Sequence, residues 1–424
     1  MAETIVTSIA DLRAVLSADY SYTRVTGYYA SGDGGGGFYW ANSADTTSSD
    51  NGGTIIVASD GMRWYLIPAD SISAKQFGAY GNNTDDDTTA VNNWITWVLS
   101  SGQRGFLPDG TYLISSQLEI LLNSVASTGC TFYGAGVARS VLNLQSVTTA
   151  PALVAQATNG TTTAPTSTNY LSFKGIGIQA NVAGAAVQLG TTDFADAINE
   201  PETDILVQNF STASGAVGVA LNYVLNGNLR IVSYIAGDGD ALVCNQATFN
   251  KISGSVSSIQ GVGVHITNGF NYGNVFDAID NENVNICVQI DSDNAVNNVF
   301  LGGTWSYLVS GINATAGHGN RIVTPNPNPA GTATNNDFFG AVVGIECNSQ
   351  SAFTFSTPTL PASESAISNS SGRKMQVIIW GGAASVVTIN GFGIGVGAGT
   401  FILNPGDSIA VTYTTAPQWV WLPF

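Results

Sequence analysis

Residues 263–320 read GVHITNGFNYGNVFDAIDNENVNICVQIDSDNAVNNVFLGGTWSYLVSGINATAGHGN, and this stretch says nearly the same thing more than twice. Three short runs, GVHI at Gly263, CVQI at Cys287 and GINA at Gly311, alternate with NVFDA at Asn274 and NVFLG at Asn298. Working outward towards the N-terminus, AVQL at Ala186, GVAL at Gly218 and ALVC at Ala241 belong to the same series. The second residues of these runs, Val187, Val219, Leu242, Val264, Val288 and Ile312, stand 32, 23, 22, 24 and 24 positions apart. A second column, Asn228, Asn250, Asn274, Asn298 and Asn320, opens NLRIV, NKISG, NVFDA, NVFLG and NRIV, and Asn169 and Asp204 extend it upstream across the one long interval.

Two columns that lengthen together imply one coil per interval. A coil of this size must bury one face of each short strand against the coils on either side, which makes a solenoid. The expected fold is all-β: a right-handed parallel β-helix. Side chains in a strand alternate faces, so Val264 with Ile266 and Val288 with Ile290 point inward, as do Cys244 and Cys347. The asparagines are expected at tight turns, where they tolerate left-handed geometry and bond from coil to coil. Outward residues of the first sheet, Gln188, Ala220, Val243, His265, Gln289 and Asn313, are mostly polar. Those of the second, Ile205, Leu229, Val275, Val299 and Leu301, read as an apolar stripe interrupted by Lys251 and Arg321. Such a stripe marks an interface, and packing of three copies about an axis would cover it.

Composition narrows the partners. Charged residues are 10% of 424, 49 residues are Gly, and 12 basic against 29 acidic residues give a net charge of −17. Such a chain is not disordered, and its charge opposes binding to phosphate backbones or anionic membranes. No run reaches the roughly 20 apolar residues of a membrane span, and MAETIVTSIADL lacks the layout of a signal peptide, so neither insertion nor secretion by that route is expected. Cys130, Cys244, Cys287 and Cys347 show no C-x-x-C spacing and read as small core residues. His265 and His318 lack metal-ligand spacing, so no metal or other cofactor is expected. GDGGGG lacks the Lys-Ser/Thr of a phosphate loop and reads as a tight turn.

The ends of the chain differ from its body. Val91, Trp94, Ile95 and Val98 follow helical spacing after Asp85-Asp86-Asp87, the acidic start of a helix placed to cap the open solenoid. FGAYGNNTDDDTTAVNNWITWVL followed by GFLPDGTYLI resembles the opening segment of pectate-lyase-like β-helices in bacteriophage tailspikes. GYYASGDGGGGFYW, NGGTIIV and GMRW resemble the small module that precedes it there. The usual Gly-Asp-Gly is Gly81-Asn82-Asn83 in this chain, which removes one acid and keeps the turn chemistry. The resemblance covers residues 23–115. After the Thr357-Pro and Leu360-Pro steps, MQVIIWGG, SVVTING, GTFILNPGDSIAVTYT and APQWVWLPF alternate around turns at Gly381, Asn390 and Pro405-Gly406, as in a β-sandwich, and are similar to terminal modules that hold tailspikes as trimers. The expected domains are a module over 1–74, the β-helix over 75–349 and a trimerisation sandwich over 350–424. Trp419 or Trp421 could alternatively meet sugar.

In a chain poor in acids, clusters of them carry information. One is Asp277, Asp280, Glu282, Asp291 and Asp293; the other is Asp193, Asp196, Glu200, Glu202 and Asp204 in DFADAINEPETD. Glycoside hydrolysis uses two carboxyl groups about 5–10 Å apart, a spacing within reach of neighbours on a β-helix. Asp277, Asp280 and Glu282 are the expected catalytic set, with Glu200, Glu202, Trp305 and Tyr307 contacting substrate. The resemblance implies a homotrimer on the tail or baseplate of a virion that binds a bacterial surface polysaccharide, capsule or O-chain, and cleaves it internally. A lyase using Lys251, Arg321, His318 or Tyr272 as its base, and a fibre that grips glycan without cutting it, are the alternatives.

Overall fold

The computed structural model describes residues 3–423 apart from 17, 123–128, 158–167, 192–196, 268, 318, 325–328, 331–336, 341–356, 372 and 373. The chain divides into two compact units, 1–351 and 352–424. The first contains a five-stranded sheet over Glu3–Leu66 and a sheet of 27 strands built from parallel pairs, a right-handed parallel β-helix.

The first column is real in every member. Val187 pairs with Val219, Val219 with Leu242, Leu242 with Val264, Val264 with Val288 and Val288 with Ile312, one rung per coil. All six side chains are buried. Gln188, Ala220, Val243, His265, Gln289 and Asn313 form the adjacent outward rung series. Coils in such a stack lie about 4.8 Å apart. Cys130, Cys244 and Cys287 are free and buried in the interior; Cys347 lies outside the described residues.

The second column holds only in part. Asn250, Asn274, Asn298 and Asn320 form a buried ladder at a two-residue corner. The Asn274 Nδ2 donates to Ala247 O at 2.6 Å and Asn298 Oδ1 at 2.8 Å, while its Oδ1 accepts from the amide nitrogen and Nδ2 of Asn250, both at 3.0 Å. Each ladder residue follows one in the left-handed region: Phe249 at φ 56°, Gly273 at 66°, Asn297 at 56° and Gly319 at 66°. Upstream, the same corner runs through Tyr170-Leu171, Glu200-Pro201 and Asn226-Gly227. Gly227, not Asn228, therefore occupies the ladder position; its amide donates to Asn250 Oδ1 at 2.7 Å, and a Cβ there would stand 2.8 Å from that oxygen. Asn228 is exposed and pairs with Lys251, Asn169 pairs with Asn199, and Asp204 lies between Lys174 and Arg230.

That one-residue slip removes the upstream half of the apolar stripe, because a shift of one exchanges the two faces of a strand, whereas Val275, Val299 and Leu301 face outward as expected. Ile205 and Leu229 are fully buried in the core. The outer face instead carries Ser172, Glu202, Asn228, Lys251, Val275, Val299 and Arg321 along one rung series. Lys174 with Glu202, Arg230 with Asp204, and Lys251 with Asp277 form ion pairs on it.

Helix α1 (Ile9–Ala14) belongs to the small module. Helix α2 (Thr88–Ser101) buries Val91, Trp94, Ile95 and Val98 over the first coils, where Trp94 Nε1 donates to Ile72 O at 2.9 Å. Asp87 is its N-cap but makes no capping bond. Its carboxylate accepts from the amides of Tyr80 and Gly81 instead. The glycine run is more than a turn. A Cβ on Gly35 would meet Lys75 O at 2.4 Å, so the run is where the small module closes on the solenoid.

In the second unit, a four-stranded and a three-stranded antiparallel sheet form a sandwich with left-handed turn residues at Gly381, Asn390 and Gly406. Trp419 and Trp421 are buried in its core, and Trp419 Nε1 donates to Pro358 O at 2.8 Å. Their role is packing, not sugar contact.

Candidate functional site

The strand Val275–Asp277 ends in a kink. Ala278 adopts φ 51° and Ile279 turns into the core before the long strand Asp280–Ile290 begins. Beneath it the strand Lys251–Ser258 runs unbroken and pairs with both segments. Phe276 anchors the first segment inside, stacked on Phe300 with centroids 4.3 Å apart. Alternation then sets Asp277 outward, where Lys251 reaches it at 2.9 Å. Asn281 points inward and is 1% exposed, which leaves Asp280 and Glu282 outward on either side of it. Asp280 Oδ1 accepts from the Thr304 amide of the next coil at 3.0 Å. Glu282 is exposed. Ser255 and Ser257 lie in register with Asp280 and Glu282 on the coil below.

Asp277, Asp280 and Glu282 thus share one outer surface. Trp305 is in register with Asn281, one coil above the residue between Asp280 and Glu282, and both it and Tyr307 are partly buried and pack against the core. Glu202 lies on the rung series of Lys251 and Val275, three coils or about 14 Å away, engaged by Lys174. Glu200 occupies the corner and receives a hydrogen bond from Tyr170. Asp193, Asp196 and His318 lie outside the described residues.

A second cluster was not legible from sequence spacing alone. His265 is flanked by Asp240 one coil below, with Nδ1 2.6 Å from Oδ2, and by Asp291 one coil above, with Nε2 2.9 Å from Oδ2. Gln289 Nε2 donates to the same Asp291 oxygen at 3.2 Å. Burial works against a charge on the imidazole, but hydrogen bonds to both carboxylates outweigh it and raise its pKa above 6.5. The available signal was the first column. Asp240 precedes Leu242 by two, His265 follows Val264 by one and Asp291 follows Val288 by three. Among the described residues no group of His, Cys, Asp and Glu is arranged to hold a metal.

A cavity of about 170 Å³ lies elsewhere, at the junction of the small module with the first coil, lined by Tyr28, Tyr29, Asp33, Lys75, Ala79 and Tyr80. Its one carboxylate is occupied. Asp33 accepts from the backbone amides of Tyr28, Tyr29, Ala30 and Gly35.

Residues 5–68 match the phage tail protein small four-stranded beta-sheet domain, and residues 71–255 match the rhamnogalacturonase A/epimerase, pectate lyase-like family. The N-terminal segment is thus similar to a phage tail protein domain, and the solenoid that follows it is of the pectate-lyase-like type. The chain is similar to tailspike protein 2 from Escherichia coli O157:H7 bacteriophage CAB120, at 16% identity over 100% of this chain and 72% of that one, with a TM-score of 0.40. It is similar to the tailspike protein of Acinetobacter baumannii phage AM24, at 14% identity over 98% and 83% of the two chains, with a TM-score of 0.45. A third structure, the tailspike protein gp49 of Acinetobacter baumannii bacteriophage Fri1, a capsular polysaccharide depolymerase, is 11% identical over 99% and 97%, with a TM-score of 0.38. No curated protein matches the chain.

Proposed function

We propose that this tail protein binds a bacterial surface polysaccharide, capsule or O-chain, and cleaves it internally by hydrolysis. The observation that carries this reading is the placement of Asp277, Asp280 and Glu282 on one outer surface of the solenoid, beside the kink at Ala278. Residues two apart on a strand are separated by about 6.8 Å between Cα atoms, within the spacing that paired-carboxylate hydrolysis requires. Asp280, held in place by the Thr304 amide, is the nucleophile or the base that activates water. Glu282 is the acid that protonates the leaving oxygen, and Asp277, held by Lys251, orients the sugar. Glu200 and Glu202 extend substrate contact along the same flank.

The test is incubation of the full chain with purified capsular or O-chain polysaccharide. Reducing ends accumulating without new absorbance near 232 nm support hydrolysis. That absorbance would make the protein a lyase, and unchanged chain length over hours would make it a gripping fibre.

Trimeric assembly is part of the proposal, and the C-terminal unit supports it. The outer surface of the three-stranded sheet presents Ile402, Leu422 and Trp380, 47%, 40% and 44% exposed, with Ile378 and Val420 between them. An apolar patch of this kind is covered when copies associate.

A further inference from the structure

We propose that Asp240, His265 and Asp291 form a proton-held clamp across three successive coils, closed while the imidazole carries both protons and released at its Asp291 arm when one is lost. The geometry demands two donors. Both ring nitrogens lie within hydrogen-bond distance of carboxylate oxygens, at 2.6 and 2.9 Å, and an ionised carboxylate only accepts. A neutral imidazole has one N–H, so its other nitrogen would turn a lone pair towards a carboxylate.

The arms are unequal. The Asp240 contact is shorter and its side chain less exposed, 24% against 33% for Asp291. Asp291 also has a second donor in Gln289 Nε2, so it is the arm that can leave. The charged groups that interact with the ring are Asp240 and Asp291, with neutral Gln289 beside it in the next coil. The strands carrying these residues are stacked in register through Leu242, Val264 and Val288, so the clamp spans coils without altering their pairing. Asp291 directly follows the strand Asp280–Ile290, at the opposite end from the acids proposed for catalysis.

The sign follows from linkage. A histidine whose pKa is raised on folding contributes stability that is fully present below its unfolded value, about 6.5, and disappears as pH rises through the folded value. With only two histidines in the chain, carbon-13 histidine labelling of the full protein gives two ring signals, and a His318→Gln sample identifies that of His265. The His265 midpoint is expected above 6.5 and is expected to fall by about one pH unit in Asp291→Asn.

Through that midpoint, hydrogen exchange in residues 287–296, corrected for the intrinsic effect of pH, is expected to quicken about fivefold in the parent and to stay flat in His265→Gln. A midpoint at or below 6.5, or one unmoved by Asp291→Asn, overturns the clamp. A raised midpoint with unchanged exchange overturns its release. Should His265→Gln fail to fold, Asp291→Asn at the exposed arm serves as the exchange control, with the same flat profile expected. No sugar enters the experiment, so its outcome stands apart from that of the proposed hydrolysis.

Discussion

Asn274 shows how much one amide can hold in a stacked structure. Its side chain closes four hydrogen bonds in a dry corner, three to the coil below and one to the coil above. Asn274→Ala leaves the Ala247 carbonyl and the Asn250 amide without partners, and a loss of about 2–3 kcal/mol is expected, read as a lower urea midpoint of the first unit. The same substitution at Asn228, which projects to solvent, should leave the midpoint within about 0.5 kcal/mol. The difference between these two asparagines also marks where sequence reading stopped. Side chains announce a ladder, but its preceding rung is Gly227, which has none, and the nearest asparagine was read in its place. The cysteines were legible because burial is all they required. Burial pushes the thiols of Cys130, Cys244 and Cys287 up to about 12. Thiol reagents at pH 8 are therefore expected to spare all three in the folded protein and to modify them in denaturant.

Elements were legible where their period was strong. The four apolar positions of α2 and the inward rung from Val187 to Ile312 sit where spacing put them, because each is fixed by contact with repeated neighbours. The outward face of the second sheet was legible from Lys251 onward but not at Ile205 and Leu229, whose assignment depended on a corner displaced by one residue. The strand Asp280–Ile290 is the element that matters most for chemistry. Its first and third residues face solvent because the kink at Ala278 and Ile279 reset the alternation, a detail without a distinct residue pattern. Asp280→Asn and Glu282→Gln are each expected to lower the rate of polysaccharide cleavage by at least about a hundredfold while leaving the circular dichroism spectrum and unfolding midpoint unchanged. Full activity in both would move the chemistry to another face. The Asp240–His265–Asp291 cluster escaped notice because its members are about 25 residues apart, one coil each, and only the registered stack makes them neighbours.

At the scale of the whole molecule, architecture came from the repeat, whereas assembly depends on which apolar residues the folded chain leaves exposed. Ile205 and Leu229 would have driven association had they faced outward; instead they fill the core. The C-terminal sheet now carries that expectation. Ile402→Lys combined with Leu422→Lys should convert a trimer to monomers in multi-angle light scattering without loss of the β-helix signal, and a parent already monomeric would remove the assembly altogether.

The corner that recurs once per coil has an evolutionary consequence as well. Because each turn hands its carbonyl and amide to the next in the same way, duplication or deletion of a whole segment of 22 to 24 residues between the corners from Asn226 to Gly319 would join equivalent ends. Reach could then change by discrete steps while the tail module and the sandwich keep their own folds, giving a lineage appendages of different span from one set of local rules.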